Sequence, residues 1–367
     1  MYKVLHVVGN VEYGGAQTFI MNVFRVINKH AFSFDFYVSK DFKGGYSDEI
    51  ISLGGKVIQK KISNNRVKIL RIIEDYRNDR IFFRNNKNKY NAIHVHTNSA
   101  VSFLILLAAK KEGINKRIIH SHSTNTKSRL THFIFRPFLR FVATDMLACG
   151  EEAGRFMFGK LYNEKYVINN SIDIHKYKFS EVVRRELREE YGINSSFTIG
   201  HIGRFNKVKN HKFLLDVFYE IKKVYADALL VLVGSGEEKN FICEYISQKG
   251  LDNSVLFLGN RNDVNRVLSL FDIVIFPSLH EGIPITLIEA QASGLPIIAS
   301  DAVSKECAVN DNIIFLSLND NAKKWAEEAI KILNSVNNED RISNSRKISD
   351  SKYNINYLME KIYSIYT

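Results

Sequence analysis

Two glutamates, Glu281 and Glu289, stand eight positions apart in the otherwise apolar run "FPSLHEGIPITLIEAQASGLPIIAS", residues 276–300. The run predicts a strand ending near Ser278, a loop holding Glu281, and a helix whose first turn suits Pro284 and whose interior carries Glu289. Carboxylates accept strong hydrogen bonds, so such a pair can grip the hydroxyls of a sugar or a ribose. It can equally compensate a helix dipole, and spacing alone does not separate the two. A cationic counterpart lies in "IGHIGRFNKVKNH", 199–211. There a strand ends at Gly203, and Arg204, Lys207 and Lys209 precede the next helix. Arg204 and Lys209 suit a diphosphate, whereas Lys207 reads as a solvated loop charge. Gly14 and Gly15 open a helix after the first strand, where free N–H groups and the helix dipole can receive a phosphate. A tight turn needing glycine competes with that reading. Their spacing is neither the dinucleotide fingerprint nor a Walker loop. His94, His96, His120 and His122 fall at predicted strand ends, and taken singly each reads as a packed side chain.

These groups need a scaffold that sets them at strand ends. The first half alternates β-rich runs with helical patterns: strands at 2–8, 32–39, "KVIQK", 91–97, 116–123, 146–150 and 165–171, with a helix from about Ala16 to Asn28 and another over "AVSFLILLAAKKEG". Residues 175–195 are charged and strand-free and read as a hinge. A second series starts at "FTIGHIGRF" and continues through strands in "ALLVLVGSG", "VLFLGN", "DIVIFPS" and "LPIIAS". Strands separated regularly by helices predict parallel sheets covered on both faces. The fold class is therefore α/β, with two doubly wound Rossmann-like halves and a ligand at their strand C-terminal ends. We place the halves at 1–178 and 179–350, with 351–367 an amphipathic helix packing back on the first.

A chain of 367 residues is long enough for two cores, and 45% hydrophobic with 25% charged residues is the composition of a folded protein. The three cysteines form no CxxC pair, which fits a reducing compartment and excludes a disulfide framework. The N-terminus does not read as a signal peptide, and the longest apolar run is far short of the about 20 residues a spanning helix needs. Net charge is +12, and it is uneven. Residues 1–180 hold 29 Lys/Arg against 14 Asp/Glu, and the remainder 22 against 25. The first half thus expects an anionic partner.

The motif "EGIPITLIEAQASGLP" resembles the signature of retaining glycosyltransferases of family 4, which have the two-domain GT-B fold. "GGAQ", "RIIHSHS", "VINNSID", "GRFNKVKNH", "LVGSGE" and "VLFLGNRNDV" follow the family's order over nearly the whole chain. The nearest likeness is to bacterial exopolysaccharide and capsular polysaccharide glycosyltransferases. The resemblance implies that Arg204 and Lys209, beside Gly203, bind the donor's diphosphate as it leaves. It implies that Glu281, with the backbone of Gly282, Ile283 and Pro284, holds the sugar's hydroxyls, and that Glu289 binds the ribose. Gly14 and Gly15 would serve the phosphate, Asn260 and Arg261 would pack against the base, and His122 matches the histidine near the reacting sugar. One departure is Ser171, where the family commonly has glycine.

No Asp-x-Asp occurs in the chain, and no cofactor is expected beyond the nucleotide-sugar substrate. Arg204, Lys209 and a helix N-terminus supply the positive field for departure of the diphosphate, so transfer is expected without a metal. Retention of configuration is implied by the resemblance only. Residues 127–141, "KSRLTHFIFRPFLRF", interleave Arg with apolar residues, and 60–90 hold ten Lys/Arg against three acids. Solvated helix faces account for such segments as readily as does a patch that rests on anionic lipid. Since related enzymes elongate lipid-linked saccharides, the expected setting is the inner face of the cell membrane, peripherally, from the cytoplasm. No nucleic-acid-binding module is present. The expected reaction moves a sugar from a UDP-linked donor, with GDP and ADP as alternatives, to a lipid-linked saccharide. The rivals are a UDP-sugar 2-epimerase of the same fold and a non-catalytic subunit of a polysaccharide assembly complex.

Overall fold

The computed structural model describes residues 1–39, 44–126, 129–335 and 338–366. The chain forms two compact units, Met1–Ser171 with Ile355–Thr367, and Ile172–Asn354. The sequence boundaries at 178/179 and 350/351 thus compare with observed ones at 171/172 and 354/355.

In the first unit, β1 (Tyr2–Val8), β2 (Phe32–Val38), β3 (Lys56–Gln59), β4 (Ala92–Thr97), β5 (Lys116–Ser121) and β6 (Asp145–Ala148) form one parallel sheet in the order β3-β2-β1-β4-β5-β6. Successive side chains leave opposite faces of a strand, and both faces are covered. On β1, Val4 and Val8 enter one buried cluster with Phe19, Phe34 and Ile362, while Leu5 and Val7 enter the other with Ile93 and Ile119. Each such apolar side chain contributes roughly 1.5–3 kcal/mol on burial. The C-terminal helix Ile355–Tyr366 buries Ile355, Leu358, Met359, Ile362 and Tyr366 in the first of these clusters.

In the second unit, β7 (Thr198–Ile202), β8 (Leu229–Val233), β9 (Val255–Gly259), β10 (Ile273–Phe276), β11 (Ile297–Ser300) and β12 (Ile313–Leu316) form a second parallel sheet, ordered β12-β11-β10-β7-β8-β9. Both orders reverse direction once, between β1 and β4 and between β7 and β10. A doubly wound sheet opens a crevice at such a switch point, outside the strands' carboxyl ends.

Three expectations are corrected. Residues 165–171 form no strand: a 3-10 turn at Glu164–Tyr166 leads to a single bridge between Val167 and Ala148. The proposed hinge contains a packed helix, Glu181–Glu190, capped by the Ser180 hydroxyl and pinned where Arg184 meets Asp272 at 2.7 Å. The strand β12 lay unrecognised in "NIIFLSL".

Candidate active site

In the second unit the loops leaving β7, β8 and β9 are stitched together at their carboxyl ends. Gly203 N–H donates to Val233, Gly234 N–H to Gly259 and Phe205 N–H to Ser235. Gly234 has φ of +134°, and a Cβ there would stand 2.0 Å from the Gly203 carbonyl oxygen, so only glycine fits. Across the switch point, Leu279 N–H donates to the Val208 carbonyl (2.8 Å) and the Asn210 amide to that of Pro277 (3.2 Å). Asn210 is in the left-handed region (φ 54°, ψ 47°), a conformation its short polar side chain tolerates. These links fix the loop after β7 against the loop after β10.

They also bring Lys209 to Glu281. The ammonium lies 2.8 Å from Glu281 Oε1, with the side chains only 13% and 23% exposed. The same ammonium sits 4.2 Å from the centre of the Phe276 ring. Asn206 caps the short turn by accepting the Lys209 N–H at 3.2 Å. Arg204 projects outward instead, 70% exposed, and meets Glu237 at 3.2 Å. The pair that reading along the chain gave separate tasks, one cationic and one for hydroxyls, is thus a single ion pair straddling the switch point. Glu237, on the loop after β8, was not anticipated as the partner of Arg204.

The backbone of Glu281 is held from behind, its carbonyl accepting Ser304 N–H at 3.1 Å. Gly282 and Ile283 lead to Pro284, which occupies the N-cap of the helix Ile285–Ala292 with extended ψ of 119°. No side chain caps that helix and its first turn carries no acid, which leaves its N–H groups available to an anion. Glu289 is 7% exposed and accepts the Tyr177 hydroxyl at 2.8 Å. A buried carboxylate requires such partners. Sequence reasoning missed Tyr177, which lies 112 positions away and carries no local signal. Asn260 accepts the Ser235 hydroxyl at 3.0 Å. Arg261 forms a two-pronged pair with Asp263 (2.7 and 2.8 Å) and donates to the Tyr191 hydroxyl at 3.2 Å. Burial is the largest single influence on the Asp263 carboxyl and would raise it, but the hydrogen bonds and charge of Arg261, a backbone N–H and the Arg266 charge together hold the group below its usual range.

In the first unit the helix Gly15–Val26 begins after β1 with Gly14 as an uncapped N-cap, and no acidic residue stands in its first turn. A Cβ on Gly14 would press on the Gln17 side chain at 2.9 Å, whereas Gly15 has open space around it. Beside this helix the four anticipated histidines meet a fifth, His6. The register pairs His6 with His94 and His96 with His120, and the i, i+2 spacing keeps His94 with His96 and His120 with His122 on one sheet face. His122 Nε2 lies 2.9 Å from His96 Nδ1, and His96 Nε2 lies 3.0 Å from His6 Nδ1. His94 Nδ1 meets the Tyr366 hydroxyl at 2.8 Å. His94 and His120 are fully buried and His96 is 8% exposed, while His122 is half-buried and ends the row toward the surface. Burial pushes His6 and His122 down to about 3; it puts the other three well below the usual imidazole range, with neighbouring histidines adding to it. All five are neutral at pH 7.

Residues 183–348 match the family Glycosyl transferases group 1. The Bacillus subtilis (strain 168) protein EpsF, provisionally named a glycosyltransferase, is 36% identical over 336 residues, covering 89% of this chain and 86% of its own length. The Staphylococcus aureus capsular polysaccharide biosynthesis glycosyltransferase CapH is 24% identical, covering 91% of each chain. An Escherichia coli UDP-Gal:alpha-D-GlcNAc-diphosphoundecaprenol alpha-1,3-galactosyltransferase is 29% identical over 64% of each. Among solved structures, Anabaena HepE in complex with UDP-glucose superposes with a TM-score of 0.79 at 18% identity, covering 99% of both chains, and establishes the fold. With its two Rossmann-like sheets and this kinship, the chain belongs to the group 1 glycosyl transferases of GT-B fold, in the branch that includes exopolysaccharide and capsule glycosyltransferases.

Proposed function

We propose that this glycosyltransferase moves a sugar from a UDP-sugar to a lipid-linked saccharide at the inner face of the cell membrane, with retention of configuration and without a metal. The observation that carries the donor side is the Lys209–Glu281 pair, held at the switch point and largely shielded from water. When the bond between the anomeric carbon and the diphosphate breaks, two negative charges gather on the leaving phosphate. Lys209, Arg204 and the N-terminus of Ile285–Ala292 are the fixed positive groups that answer them. Glu281 then receives the sugar's hydroxyls, and Glu289 receives those of the ribose, with Tyr177 holding its other side. Asn260 and Arg261 border the base. His122 and the helix N-terminus at Gly14 and Gly15 are the first unit's contributions. The acceptor hydroxyl attacks the face that the diphosphate leaves, its proton passing to the departing phosphate oxygen. No side chain here is required as a covalent nucleophile.

The uridine base and the diphospholipid acceptor are supported by the activity for which the Escherichia coli relative is named. The membrane setting is supported by the surface of the first unit. There Leu130, Phe133, Ile134, Phe138 and Phe141 are 47–77% exposed, and Arg136 and Arg140 lie over the Phe133 and Phe141 rings. Lys127 and Ser128, which open the expected patch, lie outside the described residues. Exposed aromatic and aliphatic wedges among arginines match the chemistry of an anionic lipid surface. Among the described residues no helix is long and apolar enough to cross a membrane.

The test is a thermal-shift panel of UDP-, GDP- and ADP-sugars in EDTA, on wild type and Glu289→Ala. A ligand that binds the native state raises the melting temperature by mass action. The reading expects a shift with a UDP-sugar that the variant loses. A response to a GDP- or ADP-sugar alone would reassign the base, and no shift at all would favour a non-catalytic subunit. Donor turnover without any acceptor would favour the epimerase.

A further inference from the structure

The five-histidine row leaves an uncommon number of buried nitrogens with nothing to bond. His120 has no partner at either ring nitrogen, and neither His122 Nδ1, His94 Nε2 nor His6 Nε2 has one. Each orphaned buried polar atom carries an uncompensated desolvation cost, and native structures rarely leave several together. Apolar residues of similar size would fill the same sheet face at no such cost. His94, His96 and His120 are each under 9% exposed, and among the described residues the ligand groups they form include no carboxylate.

Two overlapping trios bring one ring nitrogen from each residue within 4.8 Å of the others: His6, His94 and His96, and His96, His120 and His122. The first trio is buried throughout. The second includes the half-buried His122, which directly follows β5. His96 and His122 already point nitrogens at each other at 2.9 Å. Tetrahedral coordination at about 2.0–2.1 Å needs a separation of about 3.3 Å, so this pair need part by only a few tenths of an ångström, and His120 lies within 4.8 Å of both. If His96 ligates through Nδ1, its Nε2–H is left donating to His6 Nδ1 at 3.0 Å. That is the outer-shell bond that orients a ligating histidine and raises its basicity.

We propose that His96, His120 and His122 form a binding site for one divalent transition-metal ion of zinc type, with His6 as its outer-shell support. Imidazole suits zinc, cobalt, nickel and copper, and an all-imidazole ligand set disfavours magnesium, calcium and manganese. Three histidines and an open fourth position leave room for a water or an anion. All three ligands lie in the first unit, and the proposed transfer does not need the ion. An ion there withdraws His122 from any substrate, so on the transfer reading zinc inhibits and EDTA relieves it.

The binding test does not depend on that reading. The full chain, stripped with EDTA and dialysed, is titrated with Co²⁺ while visible absorption is recorded. One ion per chain with intense tetrahedral bands, displaced by Zn²⁺ and not by Mg²⁺, is the expected result. His122→Gln, at the half-exposed end, should weaken binding by more than about tenfold, and His6→Phe should weaken it by about 10–100-fold without changing the stoichiometry. His122→Cys should restore binding with a thiolate-to-cobalt charge-transfer band, which a purely packing role could not produce. No binding, a weak octahedral spectrum, or titrations unchanged in both His122→Gln and His120→Phe would each overturn the site. Near-ultraviolet circular dichroism identifies any variant that fails to fold, and His122→Gln alone then decides.

Discussion

The Lys209–Glu281 pair makes opposite demands on the two halves of a nucleotide-sugar, and this can be measured. In the free protein each charge neutralises the other at 2.8 Å with little water around them. The proposed reaction asks Lys209 to face the diphosphate and Glu281 to face the sugar. Glu281→Gln removes the competitor for the ammonium, so UDP alone should bind as well as in wild type or more tightly. The same substitution removes a charged acceptor for sugar hydroxyls. Hydrogen bonds to charged groups contribute about 1.5–3 kcal/mol, equivalent to roughly 10- to 150-fold in affinity. The preference for UDP-sugar over UDP should therefore fall by at least tenfold. Lys209→Met keeps the stem against Phe276 and should weaken both ligands by the same factor, because the lost contact is to the diphosphate. Its effect on stability should be smaller. The pair is neither surface-exposed, where such bridges are worth about 0–1 kcal/mol, nor fully buried, where breaking one costs about 3–5. A loss of about 1–2 kcal/mol is expected, read as a lower urea midpoint. Isothermal calorimetry with UDP and UDP-sugar on both variants and the double variant completes the cycle. If Glu281→Gln weakened UDP and UDP-sugar equally, the division of labour between the two residues would be refuted.

Three further outcomes are expected. Glu289→Gln should erase discrimination between a UDP-sugar and its 2′-deoxyribose analogue, while leaving the fold intact by near-ultraviolet circular dichroism. His211, packed against Phe205 and His201 with both ring nitrogens unpartnered, is pushed down to about 4 by burial first and by Lys209 second. Its folded pKa lies below the unfolded value of about 6.5. The unfolded state therefore binds more protons between those values, and stability present above pH 6.5 is lost as pH falls toward 4 by up to about 1.4 kcal/mol per unit. His211→Phe should remove only its own share of the fall in urea midpoint between pH 7 and 5, the other buried histidines keeping theirs. Leu130→Asp with Phe133→Asp should abolish co-sedimentation with vesicles containing anionic lipid while preserving donor binding, since both residues are exposed.

The strands were legible because parallel strands buried on both faces read as short apolar runs, as in "VLHVV" and "DIVIF". β12 went unread although "IIFL" is as apolar a run as the others; it lies at the sheet edge, with three of its four residues partly exposed. The segment 165–171 misled in the opposite direction: its apolar-looking "YVIN" leads into Asn169 and Asn170, buried residues that pair with no strand. Residues 181–190 read as hinge because only Leu187 of that helix is buried, and its attachment is the Arg184–Asp272 pair, 88 positions apart. The site followed the same rule. Glu289, Lys209 and Glu281 could be named from motif and loop position, but their partners could not, because Lys209 meets Glu281 and Glu289 meets Tyr177 only through strand order. The HxH spacings put four histidines on one face; the fifth, His6, joins only because β1 lies beside β4.

The central claim is most directly tested by incubating the protein in EDTA with a labelled UDP-sugar and a diphosphoundecaprenol-linked saccharide in anionic vesicles. The account predicts label transferred to the lipid in the donor's anomeric configuration, at a rate not lowered by EDTA and lost in Lys209→Met. Label transferred with inverted configuration, or only when a divalent metal is restored, would contradict it.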